Sequence, residues 1–169
     1  GNPHISGFTL ENTGWAFSGF HAGYWIPVTW LSYIADYGLW GEGPFGFHFT
    51  SILLHAINSV LAFLFFKKLT GCSWRSFLGA ALFAVHPLNV ESVAWISERK
   101  GLLAAFFSFW ALLAYGAWAR KRGPWRYAAV IAASALAMAS KPVAVMLPVY
   151  FLIMDYWPLG RFTGGGEKA

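Results

Sequence analysis

Charge is scarce in this chain of 169 residues, and cysteine is almost missing. Asp, Glu, Lys and Arg together make up 11% of the residues, whereas soluble domains carry roughly 25%. With 57% apolar and 20% aromatic residues, ten of them Trp, a chain of this size cannot keep its apolar surface from water, which excludes an ordinary soluble domain. Cys72 stands alone, so no disulfide within the chain and no cysteine-based metal site can form. Neither the GxxxxGK(S/T) pattern of a phosphate-binding loop nor the GxSxG turn of a serine hydrolase occurs. The net charge of +5 does not indicate nucleic acid, because the cations lie in the gaps between apolar runs, where orientation signals belong. The opening Gly1-Asn2-Pro3-His4 has no initiator Met, no basic leader and no cleavage site. A piece of a longer protein is expected.

In place of charge the chain has long apolar runs. Residues 46–66 match the length of about 20 residues that a bilayer core requires, and further apolar segments occupy 76–87, 102–119, 127–139 and 143–157. This pattern predicts an all-α fold: a polytopic membrane helix bundle of about five spans, a single membrane domain over 1–160 with a tail at 161–169. The last two segments are short, so each tilts little, thins the bilayer or ends beside a polar cavity. Residues 1–45 hold no spanning run and are expected to form an outer loop with interfacial helices. One is an amphipathic helix over 27–40 that starts at Pro27 and carries Ser32 and Asp36 away from its apolar face. Gly164-Gly165-Gly166 is expected to be a linker or to mark a truncation.

Polar residues interrupt the apolar runs at two places. Within 46–66, His48, Ser51, His55, Asn58 and Ser59 recur at three- and four-residue steps and share one helix face. They either hydrogen-bond between helices or line a water-filled site. The second place is 86–101, where His86, Asn89, Glu91, Glu98, Arg99 and Lys100 gather between two hydrophobic segments. With Pro87 opening a short helix over about 88–98, Glu91, Trp95 and Glu98 share a face, and Arg99 and Lys100 stand at the C-terminal end, which favours cations. Carboxylates can bind a divalent cation or accept a proton from a hydroxyl, and Arg and Lys can hold a phosphate. The stretch is thus either one wall of a site for a lipid phosphate or an ordinary solvated loop. His86 is open to a metal, capping or packing role, and Lys141 before Pro142 is either a snorkelling anchor or a second phosphate contact.

Placing the turn 67–75 in the cytoplasm puts Lys67, Lys68, Arg75, Arg120, Lys121, Arg122, Arg126, Arg161 and Lys168, nine of the twelve cations, on that side. Arg99, Lys100 and Lys141 then lie on the outer face with Glu11, Asp36, Glu42, Glu91 and Glu98.

The stretch Phe83-Ala84-Val85-His86-Pro87-Leu88-Asn89-Val90-Glu91-Ser92-Val93-Ala94-Trp95-Ile96-Ser97-Glu98-Arg99-Lys100 closely resembles the signature of GT-C type membrane glycosyltransferases that carry tetratricopeptide repeats, the transmembrane and tetratricopeptide repeat-containing proteins and their bacterial relatives. The blocks Trp25 to Ser32, His48 to Asn58, Ser140 to Pro148 and Asp155 to Leu159 resemble family blocks in family order. The resemblance implies transfer of a mannose-like sugar from a polyprenyl-phosphate lipid donor to a protein hydroxyl. It places the site on the extracytoplasmic or lumenal face of a bacterial inner membrane or, in eukaryotic relatives, of the endoplasmic reticulum. Beyond donor lipid, protein acceptor and membrane lipids it implies no partner, and no nucleic acid. The chemistry of the side chains present then makes Glu91 the expected catalytic or metal-contacting carboxylate, Arg99, Lys100 and Lys141 the expected donor-phosphate ligands, and His86, Glu98, His55 and Asn58 supporting residues, with a divalent cation as the one cofactor in prospect. In the family, an acidic pair in the first outer loop is the expected catalytic centre, upstream of Asn2 here, so this chain alone is expected to be incomplete and inactive. Many relatives carry Asp where this chain has Gly101, and no 34-residue repeat occurs. A non-catalytic scaffold or a transporter fragment is the alternative from another class, although no duplicated set of broken helices supports a transporter.

Overall fold

The computed structural model describes residues 2–20 and 23–162. The tail beyond Phe162, with Lys168 and the Gly164 to Gly166 run, lies outside the described residues. The chain is helical nearly throughout: α1 (Leu10–Phe17), α2 (Pro27–Trp40), α3 (Pro44–Thr70), α4 (Ser73–Val85), α5 (Pro87–Ala94), α6 (Arg99–Arg120), α7 (Pro124–Ser140) and α8 (Leu147–Tyr156), with short 3-10 turns at Pro3–Ile5, Ile96–Glu98 and Pro142–Met146. Proline opens α2, α3, α5 and α7, where a missing N–H costs nothing. Gly71 ends α3 in the left-handed region, at φ 67°, and returns its N–H to the Lys67 carbonyl.

Among the described residues, α3 and the segment Ile96–Arg120 have the length and apolarity to cross a membrane, and α4 with α5 makes a third candidate bent by 52°. The other two apolar segments form the 17-residue α7 and the shorter run Pro142–Tyr156. Large apolar side chains such as Leu53, Leu64, Leu82, Ile131 and Leu152 stand exposed on the outside of the bundle, the surface a lipid environment covers. One cluster of the buried core, Ala111, Leu112, Ala137, Ala144, Leu147 and Met154, joins α6, α7, the turn Pro142–Met146 and α8. Alanine dominates because helices without a hydrophobic drive between them associate through close approach. Gly46 serves the same end, since a Cβ there would run into the side chain of Trp40.

Polar groups decide how the long helices register. The Asn58 side chain, fully buried, donates to the Leu102 carbonyl at 2.9 Å and ties α3 to α6. His55 Nε2 donates to the Ala84 carbonyl at 2.9 Å, tying α3 to the end of α4. Thr29 donates to the Ser140 carbonyl at 3.0 Å, tying α2 to α7. The polar face on α3 is therefore an interhelical bonding face.

The strongest of these ties is an ion pair. Arg99, at the start of α6, has no solvent exposure and pairs with Asp36 of α2, itself 3% exposed. The Arg99 guanidinium also donates to the Phe47 carbonyl at 2.5 Å and to Ser51 Oγ at 3.3 Å, and lies 5.0 Å from the centre of the Tyr33 ring. Thr50 donates to the other Asp36 oxygen at 2.8 Å. Three helices thus converge on one guanidinium. Tyr33 donates to the Ile96 carbonyl at 2.6 Å, and burial pushes its hydroxyl pKa up to about 12, so it remains a donor at any physiological pH.

Removing one member of a buried pair leaves the other charge uncompensated, which costs about 3–5 kcal/mol. Arg99→Met or Asp36→Leu alone is expected to lower the heat stability of the detergent-solubilised protein sharply. The double variant Asp36→Leu/Arg99→Met recovers part of the loss. Either single variant melting with the parent would remove the pair from this role. Asn58→Leu, which deletes one interhelical hydrogen bond, costs less, about 0.6–2 kcal/mol by the same melting assay.

Candidate functional site

The polar stretch that joins α4 to α6 separates, in three dimensions, into residues with different duties. His86 and Asn89 manage the bend between α4 and α5. His86 Nδ1 accepts from the Leu88 N–H at 3.2 Å as the N-cap of α5, and Asn89 donates to the Phe83 carbonyl at 2.5 Å at the end of α4. The expected helix over 88–98 is not continuous. Its backbone becomes extended at Trp95 (φ −98°, ψ 115°) and resumes as a 3-10 turn, so Glu91 and Glu98 do not share one helix face. The break lets the chain turn from α5 into the start of α6, where Arg99 must reach Asp36. Trp95 itself stays 61% exposed, as an interfacial anchor does.

Arg99, expected as a phosphate ligand, is enclosed by α2, α3 and α6 and committed to Asp36. The pair positions the surroundings of the site, since the two rings flanking the guanidinium, Tyr33 and Phe47, also wall a neighbouring cavity. Asp36, expected away from the apolar face of its helix, is buried instead, and its pairing with Arg99 was not foreseen. The available signal was a lone carboxylate in an otherwise apolar helix, which needs a cation wherever it is buried.

Glu98, Lys100 and Lys141 do come together. Lys100 Nζ lies 2.9 Å from one Glu98 oxygen and Lys141 Nζ 3.7 Å from the other. Both lysines are partly accessible, at 20% and 35% of the side chain. Lys100 also lies over the Tyr24 ring, 5.6 Å from its centre. These side chains line a cavity of about 300 Å³ with Pro142 and Val143. Next to it, sharing Tyr24 and Lys100, is a second cavity of about 330 Å³ walled by Trp30, Tyr33, Phe47 and Ile96. Each reaches the lower end of the range of about 300–1,000 Å³ that small-molecule sites occupy. Gly101 leaves the lysine side open: a Cβ there would sit 3.8 Å from Lys141 Nζ and 3.5 Å from Ser92 Oγ.

The remaining expected residues lie apart from this cluster. Glu91 is exposed on α5, while His55 and Asn58 are occupied in helix packing. Among the described residues no three His, Cys, Asp or Glu side chains gather as metal ligands.

Charge is sorted along the bundle. Arg99 meets Phe47 near the start of α3, and Arg120 donates to the Lys68 carbonyl at 3.5 Å near its end, so α3 and α6 run parallel. Lys67, Lys68, Arg120, Lys121 and Arg122 thus share one end, and Asp36, Glu98, Lys100 and Lys141 share the other.

Residues 28–161 match the family described as "Dolichyl-phosphate-mannose-protein mannosyltransferase". Among curated proteins, the chain is 35% identical over 98 residues to "Protein O-mannosyl-transferase TMTC2" of Mus musculus, covering 58% of this chain and 12% of that protein. It is 32% identical over 124 residues to "Protein O-mannosyl-transferase Tmtc2" of Drosophila melanogaster, covering 68% and 13%. To "Protein O-mannosyl-transferase TMTC4" of Homo sapiens it is 38% identical over 103 residues, covering 53% and 14%. The chain thus spans about an eighth of the length of these relatives. No solved structure matches it. With the family matched over 28–161, most of the chain, this protein belongs to the dolichyl-phosphate-mannose-protein mannosyltransferase family.

Proposed function

We propose that this chain forms part of a GT-C type membrane enzyme that moves a mannose-like sugar from a polyprenyl-phosphate carrier to a protein hydroxyl, and that Lys100 and Lys141 receive the donor phosphate. In such a transfer the bond between the sugar C1 and the phosphate oxygen breaks and a bond from C1 to the acceptor oxygen forms. The acceptor proton passes to a carboxylate base, and the carrier phosphate leaves with the bonding electrons. Cations fixed beside the leaving group stabilise the charge that develops on it. The convergence of two ammonium groups from distant segments on the rim of one cavity carries this proposal. Glu98 keeps both lysines in place while the site is empty of phosphate. The adjoining aromatic-walled cavity suits the sugar, whose C–H faces pack on rings. Glu91 is the exposed carboxylate through which this chain reaches an acceptor hydroxyl.

In the full-length protein, Lys141→Gln is expected to lower kcat/KM for the polyprenyl-phosphate sugar about tenfold or more, the factor that follows from losing a charge-assisted hydrogen bond of roughly 1.5–3 kcal/mol. The loss falls on the donor KM and leaves the acceptor KM unchanged. Unaltered donor kinetics would remove Lys141 from the phosphate site.

We further propose that the Lys100 end faces the extracytoplasmic or lumenal side, since the cation-rich end satisfies the positive-inside rule only in the cytoplasm. The exposed Ser97 and the native Cys72 mark the two ends. Ser97→Cys in a Cys72→Ser background is expected to react with a membrane-impermeant maleimide from outside, and native Cys72 only after permeabilisation. The reverse pattern would invert the topology.

A further inference from the structure

We propose that the crevice between α6, α7 and α8 binds a single anionic phospholipid, its acyl chain along the helices and its headgroup at the cation-rich end, opposite to Lys141. The crevice measures about 670 Å³ and is overwhelmingly apolar. Its α7 wall is one helix face, with Tyr127, Ile131, Ala135 and Met138 at steps of three and four. On the other side α8 contributes Phe151 and Leu152. Several wall residues remain open, Ile131 at 53% and Leu152 at 56% exposure, so the packing of this chain leaves the crevice unfilled.

Length and charge select the occupant. The α7 wall rises eleven residue steps from Tyr127 to Met138, about 16 Å at 1.5 Å per step, which is half of a hydrocarbon core of about 30 Å. That is the depth of one leaflet, and so of one phospholipid chain. A helix seated there would be expected to continue through the other leaflet. Apart from Ser134, midway along α7, the polar groups of the crevice gather at one mouth. There Tyr115 donates to Asp155 at 2.8 Å, and Arg161 donates to Asp155 at 2.8 Å and to the Tyr115 hydroxyl at 3.1 Å, which cancels the single carboxylate. Beyond this neutral pair the mouth is basic. Arg122 stacks 3.8 Å from the centre of the Trp118 ring, a wall of the crevice, and Arg120, Lys121 and Arg126 stand beside it in sequence. An apolar slot one leaflet deep with a cationic rim complements an anionic headgroup and disfavours a zwitterionic one.

Native mass spectrometry of the full chain in detergent, titrated with phosphatidylglycerol or with phosphatidylcholine of the same acyl chains, tests this. Phosphatidylglycerol is expected to bind at one copy per chain, about fivefold tighter than phosphatidylcholine, the factor one cation at a membrane surface supplies. Arg122→Gln removes that preference. Ala135→Trp, which fills the slot at an exposed wall position, abolishes binding of both lipids. Arg75→Gln, at the same end but outside the crevice, changes nothing. Equal binding of the two lipids, an equal loss in Arg75→Gln, or undiminished binding in Ala135→Trp would overturn the site. A chain that dimerises through this face, with dimerisation lost in Ala135→Trp, would assign the crevice to a second copy and overturn it as well.

Discussion

A guanidinium with no exposure to solvent is the constraint on which the rest of this bundle depends. Burying Arg99 is tolerable only because Asp36, the Phe47 carbonyl and Ser51 surround it and two aromatic faces lie against it. Meeting those requirements fixes α2 against the first turns of α3 and α6. It also fixes Tyr33 and Phe47, which wall the aromatic cavity. The next residue in the chain, Lys100, is thereby held at the junction of the two cavities. Neighbouring cations in one short motif so perform opposite tasks, one inside the protein and one at the edge of a site.

The same economy of charge organises the long axis. With so few ionisable groups, each charged side chain among the described residues is either neutralised by a partner or kept at an end. One end holds a small mixed cluster beside two cavities, and the other holds mostly cations and a neutral Arg161–Asp155 pair. Between them the helices are joined by single hydrogen bonds to backbone carbonyls, from His55 and Asn58. This division leaves both ends free to deal with anionic groups: the donor phosphate we propose at one end, and the lipid headgroup we propose at the other.

Much of the fold was legible before any coordinates. Apolar length announced helices, proline marked four of their starts, and the step of three and four on α3 announced a shared polar face, for bonding or for a water-filled site. The family was legible as well, because several blocks occur in order. The site was legible only as a stretch. Helical periodicity predicted one surface carrying Glu91, Trp95 and Glu98, and the break at Trp95 removed it. That break is imposed by tertiary contacts of Arg99 with residues 52 and 63 positions earlier, Phe47 and Asp36, which no local pattern encodes. Lys141 was visible as one of three cations set apart from the others. Its meeting with Glu98 depends on the packing of α7 against α6, again a long-range fact.

The division of labour between Arg99 and the two lysines is most directly tested by an experimental structure of the full-length protein with a polyprenyl phosphate bound. Phosphate oxygens are expected at about 2.7–2.9 Å from Lys141 Nζ or Lys100 Nζ, with Glu98 displaced from at least one lysine and the Arg99–Asp36 pair intact. A phosphate seated on Arg99, or one bound elsewhere while Glu98 still holds both lysines, would contradict it.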